Sequence, residues 1–406
     1  MKIAYVIEDF SIKGGAERIL SRKANLLDST YGHEVTIISI YHDERPQSYP
    51  LNKNVRLVSL DVGFTDNGGN VVRRTLNRTK TLLTALRRFN KVVSEIQPDV
   101  IFFTMIIGAL LLPLCRTKAR RVYESHVARP FTPYQRLFTL MERRADAVVC
   151  LTRDDARNYT KAKETVVIPN FIDYETPPAV KDYSVKKAIA VGRLESQKGF
   201  DILINCWKEA DAAHPGWTLD IYGEGSLRQQ LQRQIDSCGL QGSVRLQGRC
   251  DDMTAAYASH SLHLMTSRYE GQPMTLIEAQ ACGLPSVVTD FNYGAKDIIN
   301  DGYNGLIVPQ GDTAAYARAL SRMMADEALR ASCGANARLT AKRFAPAEIM
   351  EKWQQLVNRL CAGRYAALHC IRRPACECCV MIFHFQLQNR SFILPLGCDS
   401  GQSVTS

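Results

Sequence analysis

The chain has 406 residues, of which 46% are hydrophobic and 23% are charged, and its net charge is +10. This composition is that of an ordinary globular protein and excludes a fibrous or disordered chain, while the length exceeds what one hydrophobic core usually supports. The longest apolar run, residues 100–115, is shorter than the roughly 20 residues that cross a bilayer, so no transmembrane span is predicted.

Residues 1–170 alternate short apolar runs with amphipathic stretches and are predicted to form an N-terminal domain. The N-terminus lacks the features of a signal peptide and is predicted to be a strand, followed by a Gly14-Gly15 turn and a helix at 16–27. Strands alternating with helices indicate βαβ units and a parallel sheet with helices on both faces. The predicted strands cover residues 2–7, 35–40, 55–60, 100–103, 121–124, 147–151 and 165–168.

Residues 171–187 carry paired prolines and little periodicity, which predicts a linker. The same alternation then resumes and predicts a second doubly wound domain at 188–344, closed by a helix at 345–360. Its helices are expected at 200–210, 226–238 and 274–282. Its strands are expected at 187–191, 217–222, 244–246, 263–266, 286–289 and 305–308.

Residues 361–406 form an atypical tail that holds six of the 13 cysteines. The tail has neither helical nor strand periodicity, and it lacks the spaced Cys-x-x-Cys pair that would favour a zinc site. We expect it to be disordered and assign it no function. With no export signal, the cysteines are expected to be reduced.

The most informative segment is SRYEGQPMTLIEAQACGLPSVVTD, residues 267–290. Glu270 is expected to end a strand, and Gly271-Gln272-Pro273 to form a tight turn before a helix that starts at Met274. Proline suits a helix start because its missing N–H is not needed there. The main-chain amides of 271–276 would then point into a cleft, where the helix dipole favours a diphosphate. Glu278 lies on the same helix, where it would accept hydrogen bonds from sugar hydroxyls.

Glu270 and Glu278 belong to a longer pattern, E-G-x-P-x-x-x-x-E-A-x-A-x-G-x-P, which resembles the retaining glycosyltransferases of family 4 with GT-B architecture. The resemblance covers about residues 1–360. It implies two Rossmann-like, doubly wound parallel-sheet α/β domains that face a central cleft, with 1–170 on the acceptor side and 188–344 binding the nucleotide sugar. Further matching motifs are Asn170 in IPNFID, Gly192-Arg193-Leu194, Lys198-Gly199, Gly223-Glu224-Gly225, Gly283-Leu284-Pro285 and Asp301-Gly302-Tyr303-Asn304-Gly305.

The resemblance also implies roles for single residues. Glu278 would hold the ribose of a nucleotide diphosphate sugar, and Glu270 would lie beside the transferred sugar. His126, expected at the carboxyl edge of the first sheet with Glu124 as neighbour, would lie near that sugar too. Donor binding is further assigned to a glycine loop and to the turn before the helix, through Gly14, Gly15, Gly271, Gln272, Pro273, Met274, Thr275 and Leu276.

The transfer reaction requires positively charged groups beside the departing phosphate. Breaking a glycosyl–phosphate bond builds negative charge on the leaving group, and fixed positive groups stabilise that charge best where water is excluded. Arg193 and Lys198 are the candidates, and together with His126 and Glu270 they form the predicted catalytic set. No Asp-x-Asp occurs in the chain, so we expect no metal site and no required cofactor.

The whole positive excess lies in the segment 1–170, where 27 lysines and arginines outnumber 17 aspartates and glutamates. Residues 71–93 form a predicted basic amphipathic helix, and such helices lie on anionic membranes. We expect a cytoplasmic protein that docks peripherally on the inner face of the membrane. Nucleic acid is disfavoured because no base-reading motif accompanies the charge. The basic residues of the two clusters are Arg73, Arg74, Arg78, Lys80, Arg87, Arg88 and Lys91, and then Arg116, Lys118, Arg120 and Arg121.

Together these features predict a retaining hexosyltransferase that moves a hexose or N-acetylhexosamine, as a UDP-sugar, to a lipid-linked or glycan acceptor in surface polysaccharide synthesis. The donor base and the acceptor come from the resemblance. Two alternatives stay open: a nucleotide-sugar epimerase of the same fold and a non-catalytic membrane-associated scaffold. A NAD-linked dehydrogenase is disfavoured because no G-x-G-x-x-G follows the first strand.

Overall fold

The computed structural model describes residues 1–41, 46–63, 71–132, 134–172 and 177–372. The chain divides into two compact units, Met1–Val357 and Asn358–Ser406. In the second unit residues 358–372 are helical. The predicted disorder of the cysteine-rich tail therefore concerns mainly residues 373–406, which lie outside the described part of the chain.

The first half of the larger unit is built around a parallel sheet of seven strands. Its strands are β1 (Lys2–Ile7), β2 (Glu34–Tyr41), β3 (Arg56–Val62), β4 (Val100–Thr104), β5 (Arg120–Glu124), β6 (Ala147–Cys150) and β7 (Thr165–Val167). Its helices are α1 (Gly15–Ser29), α2 (Val71–Ile96), α3 (Met105–Leu111), α4 (Gln135–Arg144) and α5 (Arg153–Ala156), with a 3₁₀ turn at Arg129–Phe131.

The second half repeats the design with a parallel sheet of six strands. Its strands are β8 (Lys187–Val191), β9 (Thr218–Tyr222), β10 (Val244–Gly248), β11 (Leu262–Met265), β12 (Ser286–Thr289) and β13 (Gly305–Val308). Its helices are α6 (Phe200–Ala213), α7 (Arg228–Ser237), α8 (Met253–Ala258), α9 (Met274–Ala281), α10 (Ala295–Ile298), α11 (Thr313–Ala325), α12 (Glu327–Ala341) and α13 (Pro346–Arg372). Two 3₁₀ turns lie at Ser196–Lys198 and Lys342–Phe344.

Both sheets are doubly wound, which confirms the predicted fold class. The strand order is β3-β2-β1-β4-β5-β6-β7 in the first sheet and β10-β9-β8-β11-β12-β13 in the second. In each sheet the order reverses between the first strand of the half and the fourth. A doubly wound sheet binds its ligands at such a switch point, outside the carboxyl ends of the strands. The loops that follow β1 and β4 in the first sheet, and β8 and β11 in the second, are therefore where a site is expected.

The central strands are buried on both faces, which explains their nearly continuous apolar sequences. Every residue of β4, VIFFT, is buried, and so is every residue of β11 and β12. Three helices of the second half begin at an aspartate whose carboxylate accepts a main-chain N–H of the first turn, at Asp252, Asp312 and Asp326. Such caps satisfy helix donors that would otherwise lack partners.

Helix α13 returns from the second half to cover the first sheet. The Trp353 ring packs edge-on against Phe102 of β4, with the ring centroids 5.3 Å apart. The Gln354 amide oxygen lies 2.7 Å from the His33 imidazole. Ile349, Met350 and Trp353 are buried. The helix extends to Arg372, so the predicted end at Leu360 is wrong.

Two further expectations differ from the structure. Glu270 does not end a strand, because β11 stops at Met265 and Glu270 lies in the following loop. The apolar face of α2 is only partly free: Phe89 is fully buried, and Leu82 and Leu86 pack against the core. The side chains of Arg73, Arg74 and Arg78 lie outside the described atoms. Among the described residues, none of the helices combines the length and apolar character that a membrane crossing requires.

Candidate active site

Glu270 is held by two side chains in the loop that follows β11. Its carboxylate Oε1 accepts hydrogen bonds from Lys198 Nζ at 2.7 Å and from Ser267 Oγ at 2.6 Å. Both partners of the ion pair are largely buried, with 13% of the Lys198 side chain and 7% of the Glu270 side chain exposed. Two of the predicted catalytic residues are therefore in direct contact, and Ser267 is a positioning residue that the sequence did not single out.

Arg193 follows β8 on the same side of the sheet. Its guanidinium donates to the Gln197 side-chain oxygen at 3.2 Å, and the Gln197 amide donates to the main-chain oxygen of Tyr269 at 3.0 Å. Gln197 therefore connects Arg193 to the loop that carries Glu270. Arg193 is exposed whereas Lys198 is not. The exposed guanidinium is accessible to an anion that enters the cleft.

Two glycines fix the loop that carries Arg193. Gly223 has a φ of 139°, and a Cβ there would collide with the carbonyl oxygen of Gly192. A Cβ at Gly225 would lie 2.5 Å from the carbonyl oxygen of Leu194. The Gly223-Glu224-Gly225 motif therefore permits the chain after β9 to pack directly on the Gly192-Arg193-Leu194 loop.

Helix α9 presents an N-terminus without a side-chain cap to the same region. Pro273 is its N-cap residue and has no N–H to contribute. The Thr275 hydroxyl is buried and has no hydrogen-bond partner among the described residues. A buried hydroxyl is normally paired, so an unpaired one beside an open helix N-terminus is suited to a ligand oxygen.

Leu276 does not suit the donor-binding role predicted for it. Its N–H already donates to the Pro273 carbonyl oxygen at 3.1 Å, and its side chain is fully buried in the core. The Gln272 side chain also points elsewhere, because its oxygen accepts the main-chain N–H of Asn170 at 2.7 Å. Contributions from this turn are thus confined to the main chain of Gly271 and Gln272 and the first turn of the helix.

The loop after β5 lies against the same turn. A Cβ at Gly271 would lie 3.2 Å from the main-chain oxygen of His126. Glycine at position 271 therefore allows the two halves of the protein to approach each other here. The approach brings His126 of the first sheet next to the Glu270-Gly271 segment of the second.

A second cross-cleft contact joins α1 to α9. Arg18 donates to Glu278 Oε1 at 3.3 Å, and the Tyr257 hydroxyl lies 3.4 Å from Glu278 Oε2. Arg18 lies in the first turn of α1, three residues after Gly15 of the predicted glycine loop, so this contact brings that loop opposite α9. Arg18 was not among the predicted site residues, although it lies one helical turn after Gly14 and hence at the same end of α1.

The glycine loop carries an acid that was not predicted. The Glu17 carboxylate folds over Gly14, and a Cβ at that position would meet its Oε2. Burial raises the pKa of Glu17, and the nearby charges of Asp9 and Glu8 raise it further. No side chain lies within 4 Å of the Cβ position at Gly15, so that position is open.

Behind His126 lies a buried ion pair. Lys23 Nζ lies 2.6 Å from each carboxylate oxygen of Glu124, and both side chains are almost completely buried. The His126 ring nitrogen Nε2 lies 3.6 Å from Glu124 Oε1. Burial lowers the pKa of His126, with Lys23 acting in the same direction and Glu124 opposing them. The imidazole is therefore held in its neutral form near neutral pH.

The structure separates the remaining motif residues from this region. Asn304 is buried, and its amide donates to the Gln280 side-chain oxygen at 2.9 Å and to the Ile298 carbonyl oxygen at 3.0 Å. A Cβ at Gly305 would collide with the Ser286 main chain. The Asp301–Gly305 motif thus stabilises the fold behind α9. No group of three or more His, Cys, Asp or Glu side chains in the described part of the chain could hold a metal ion.

Two family profiles match consecutive parts of the chain. The profile described as Glycosyltransferase Family 4 matches residues 13–176, and the one described as Glycosyl transferases group 1 matches residues 177–340. Together they cover residues 13–340, which include every strand of both parallel sheets except β1.

Several curated proteins are similar to this chain. The amylovoran biosynthesis glycosyltransferase AmsD of Erwinia amylovora is 27% identical over 88% of this chain and 99% of its own length. A Campylobacter jejuni enzyme named as an α-1,4-N-acetyl-D-galactosaminyltransferase of a PP-undecaprenol-linked glycan is 27% identical over 88% of this chain and 98% of its own. The exopolysaccharide phosphotransferase SCO2592 of Streptomyces coelicolor is 36% identical over 204 residues, and the match spans only 22% of that longer protein.

A solved structure has the same fold. Anabaena Alr3699/HepE in complex with UDP superimposes with a TM-score of 0.69 at 19% identity, covering 88% of this chain and all of that one.

Proposed function

The chain belongs to glycosyltransferase family 4 and has GT-B architecture, and from that premise we propose that it is a retaining hexosyltransferase of surface polysaccharide synthesis. In this proposal the donor is a UDP-linked hexose or N-acetylhexosamine. The acceptor is a lipid-linked or glycan substrate presented at the inner face of the cytoplasmic membrane. No cofactor or metal is required.

One observation carries the proposal: the open N-terminus of α9 begins beside the buried Lys198–Glu270 pair. A helix N-terminus favours a diphosphate, and a buried lysine next to it supplies a fixed positive charge. Arg193 extends the positive charge towards solvent. Such a combination suits a leaving pyrophosphate whose negative charge grows as the glycosyl bond breaks.

The pairing of Lys198 with Glu270 gives both residues a place in the reaction. In this proposal the donor diphosphate binds Lys198. Glu270 is oriented by Ser267 and accepts a hydrogen bond from a hydroxyl of the transferred sugar. Glu278 would bind the ribose hydroxyls, with Arg18 and Tyr257 orienting its carboxylate. Glu270 and Glu278 lie at different ends of the donor and are not the nucleophile and acid of a glycosidase.

His126 is proposed to lie beside the transferred sugar. Its neutral imidazole, set by burial behind the Gly271 turn, can hydrogen-bond a sugar hydroxyl without adding charge near the reacting carbon. In a retaining transfer without a covalent intermediate, the acceptor proton would pass to an oxygen of the departing phosphate. The cations Lys198 and Arg193 would stabilise the diphosphate during this step.

The names of the relatives support the substrate classes. AmsD is named for amylovoran biosynthesis, the Campylobacter jejuni relative for an undecaprenol-linked acceptor, and the HepE structure contains UDP. These names favour a UDP-linked donor and a lipid-linked acceptor.

The test begins with a thermal-shift screen of nucleotide diphosphate sugars. The best binder is then incubated with the enzyme and with lipid extract from bacterial membranes, and release of the nucleotide diphosphate is followed. Glu270→Gln and Lys198→Met should lower the rate at least about a hundredfold, since each removes a charge beside the reacting bond. Glu327→Gln, at an exposed acid of α12, serves as the matched control and should leave the rate unchanged.

The anomeric configuration of the product, determined by NMR, decides whether the transfer is retaining. Donor turnover without any acceptor would favour the epimerase alternative. A Glu270→Gln strain that still makes normal surface polysaccharide would favour the non-catalytic scaffold and contradict the proposal.

A further inference from the structure

Helix α4 exposes apolar side chains that the core does not use. Leu137 and Leu140 are 43% and 40% exposed, and Tyr134, immediately before the helix, is 54% exposed. The other apolar residues of the helix, Phe138 and Met141, are buried. These three side chains form one apolar patch on the surface, and contiguous apolar patches are a feature of contact surfaces.

Basic residues accompany these leucines on the same face. Arg136, Arg143 and Arg144 are exposed, and each lies three, four or seven positions from Leu137 or Leu140, which places all five on one face of a helix. The acid of α4, Glu142, is buried and pairs with Arg129 at 2.7 Å. The outer face of α4 is therefore apolar and positively charged, without an exposed acid.

The position of α4 is fixed relative to the candidate active site. Arg129, three residues after His126, donates to Glu142 on α4 and to the Gln135 carbonyl oxygen at 3.2 Å. Its main-chain N–H donates to Asp155 at 2.7 Å. The buried arginine thus ties α4 to the loop that lies against the Gly271 turn. Phe131 of the same loop lies beside Tyr269 of the second half, with ring centroids 5.5 Å apart.

We infer that the outer face of α4, formed by Arg136, Leu137, Leu140, Arg143 and Arg144, is the surface by which the protein docks on an anionic lipid membrane. The leucines enter the interface and the arginines bind lipid phosphates, which matches both components of the surface. Docking here brings the His126 side of the cleft towards a lipid-linked acceptor. This purpose rests on the proposed function, whereas the docking itself does not.

The inference replaces the expectation that α2 is the docking helix. Helix α2 exposes Leu76 and Leu83, but its other apolar side chains between residues 82 and 96 pack inward. Arg88 donates to the carbonyl oxygens of Leu60 and Asp61, so its charge is directed to the protein itself. The two helices can be distinguished by experiment.

The test measures co-sedimentation of the full chain with vesicles of phosphatidylcholine alone or of phosphatidylcholine mixed with phosphatidylglycerol. Leu137→Glu together with Leu140→Glu should reduce partitioning into the anionic vesicles by about tenfold or more, since apolar burial is lost and repulsion is added. Leu339→Glu, at an exposed leucine of α12, is the matched control. A Leu76→Glu/Leu83→Glu variant reports on α2.

The inference is overturned if the α4 double variant binds anionic vesicles as the wild type does. It is also overturned if wild-type binding does not depend on phosphatidylglycerol. Circular dichroism and thermal unfolding confirm that the variant is folded, which is expected because both leucines are exposed. Vesicle binding requires no sugar transfer, so its outcome is independent of the proposed reaction. Unchanged transfer to a detergent-solubilised short-chain acceptor would show that the α4 variant retains its active site.

Discussion

Replacement of Lys23 by methionine should destabilise the protein strongly, because it leaves the Glu124 carboxylate buried without its cation. Lys23 Nζ lies 2.6 Å from both carboxylate oxygens, and at most 2% of either side chain is exposed. At an effective dielectric constant of about 20, unit charges at that distance attract by ~6 kcal/mol. Desolvation offsets much of this attraction, and loss of one partner of such a pair costs about 3–5 kcal/mol.

The double variant of Lys23 and Glu124 should be more stable than the single variant. Lys23→Met combined with Glu124→Gln removes both charges and should recover most of the lost stability, because a neutral pair of similar size needs no buried counterion. Lys163→Met, which removes an exposed cation 3.4 Å from Asp146, should change the stability very little. The free energies of unfolding come from urea titrations at neutral pH. A Lys23→Met variant as stable as the wild type, or a double variant no more stable than the single one, would refute the argument.

Two further predictions concern residues close to the site. Burial and the charge of Lys198 lower the pKa of His263 to about 3, so in acid the unfolded state binds a proton that the folded state does not. When the pH falls from 7 to 5, the free energy of unfolding of the wild type should therefore decrease by ~2 kcal/mol more than that of His263→Asn. Equal losses in urea titrations at the two pH values would count against this. Gly225→Ala should weaken donor binding and raise the donor KM about tenfold, because its Cβ displaces the Leu194 main chain next to Arg193. Gly242→Ala, at a position with open space around the Cβ, is the control and should leave the donor KM unchanged. A KM for Gly225→Ala equal to that of the wild type would show that this glycine does not position Arg193.

The strands and the parallel arrangement of both sheets could be predicted from the sequence, because short apolar runs alternate with amphipathic helical stretches. Runs such as VIFFT are typical of strands covered on both faces, and turns such as Gly14-Gly15 indicate where a strand ends and a helix follows. Contacts between the two halves depend instead on residues that are distant in sequence. Arg18 and Glu278 are 260 positions apart, and nothing in the local pattern of either predicts their contact. The same holds for Lys23 and Glu124, whose pairing requires α1 and β5 to be placed first.

Two predictions depended on contacts that a sequence does not show. The predicted membrane helix was α2 because its amphipathic period and positive charge are conspicuous in the sequence. Periodicity does not tell whether an apolar face contacts the core or the solvent, and in α2 most of that face packs inward. Helix α4 is short, and its sequence does not show that Phe138 and Met141 fill the core positions and leave the leucines exposed. Leu276 was misassigned for a related reason, since a sequence does not show that an N–H is already bonded within a helix turn.

The return of α13 affects how this protein could be recombined with its relatives. Residues 346–357 follow the second sheet in the chain, yet Trp353 packs against β4 and covers the Lys23 ammonium group at 3.9 Å from its ring. In a chimera that replaces only the segment 1–170 with that of a relative, Trp353 would pack against a foreign sheet. In the reciprocal chimera, the Lys23–Glu124 ion pair would lack the tryptophan that covers it. An exchange of donor or acceptor specificity should therefore move two segments together, namely residues 1–170 and the segment after Ala345.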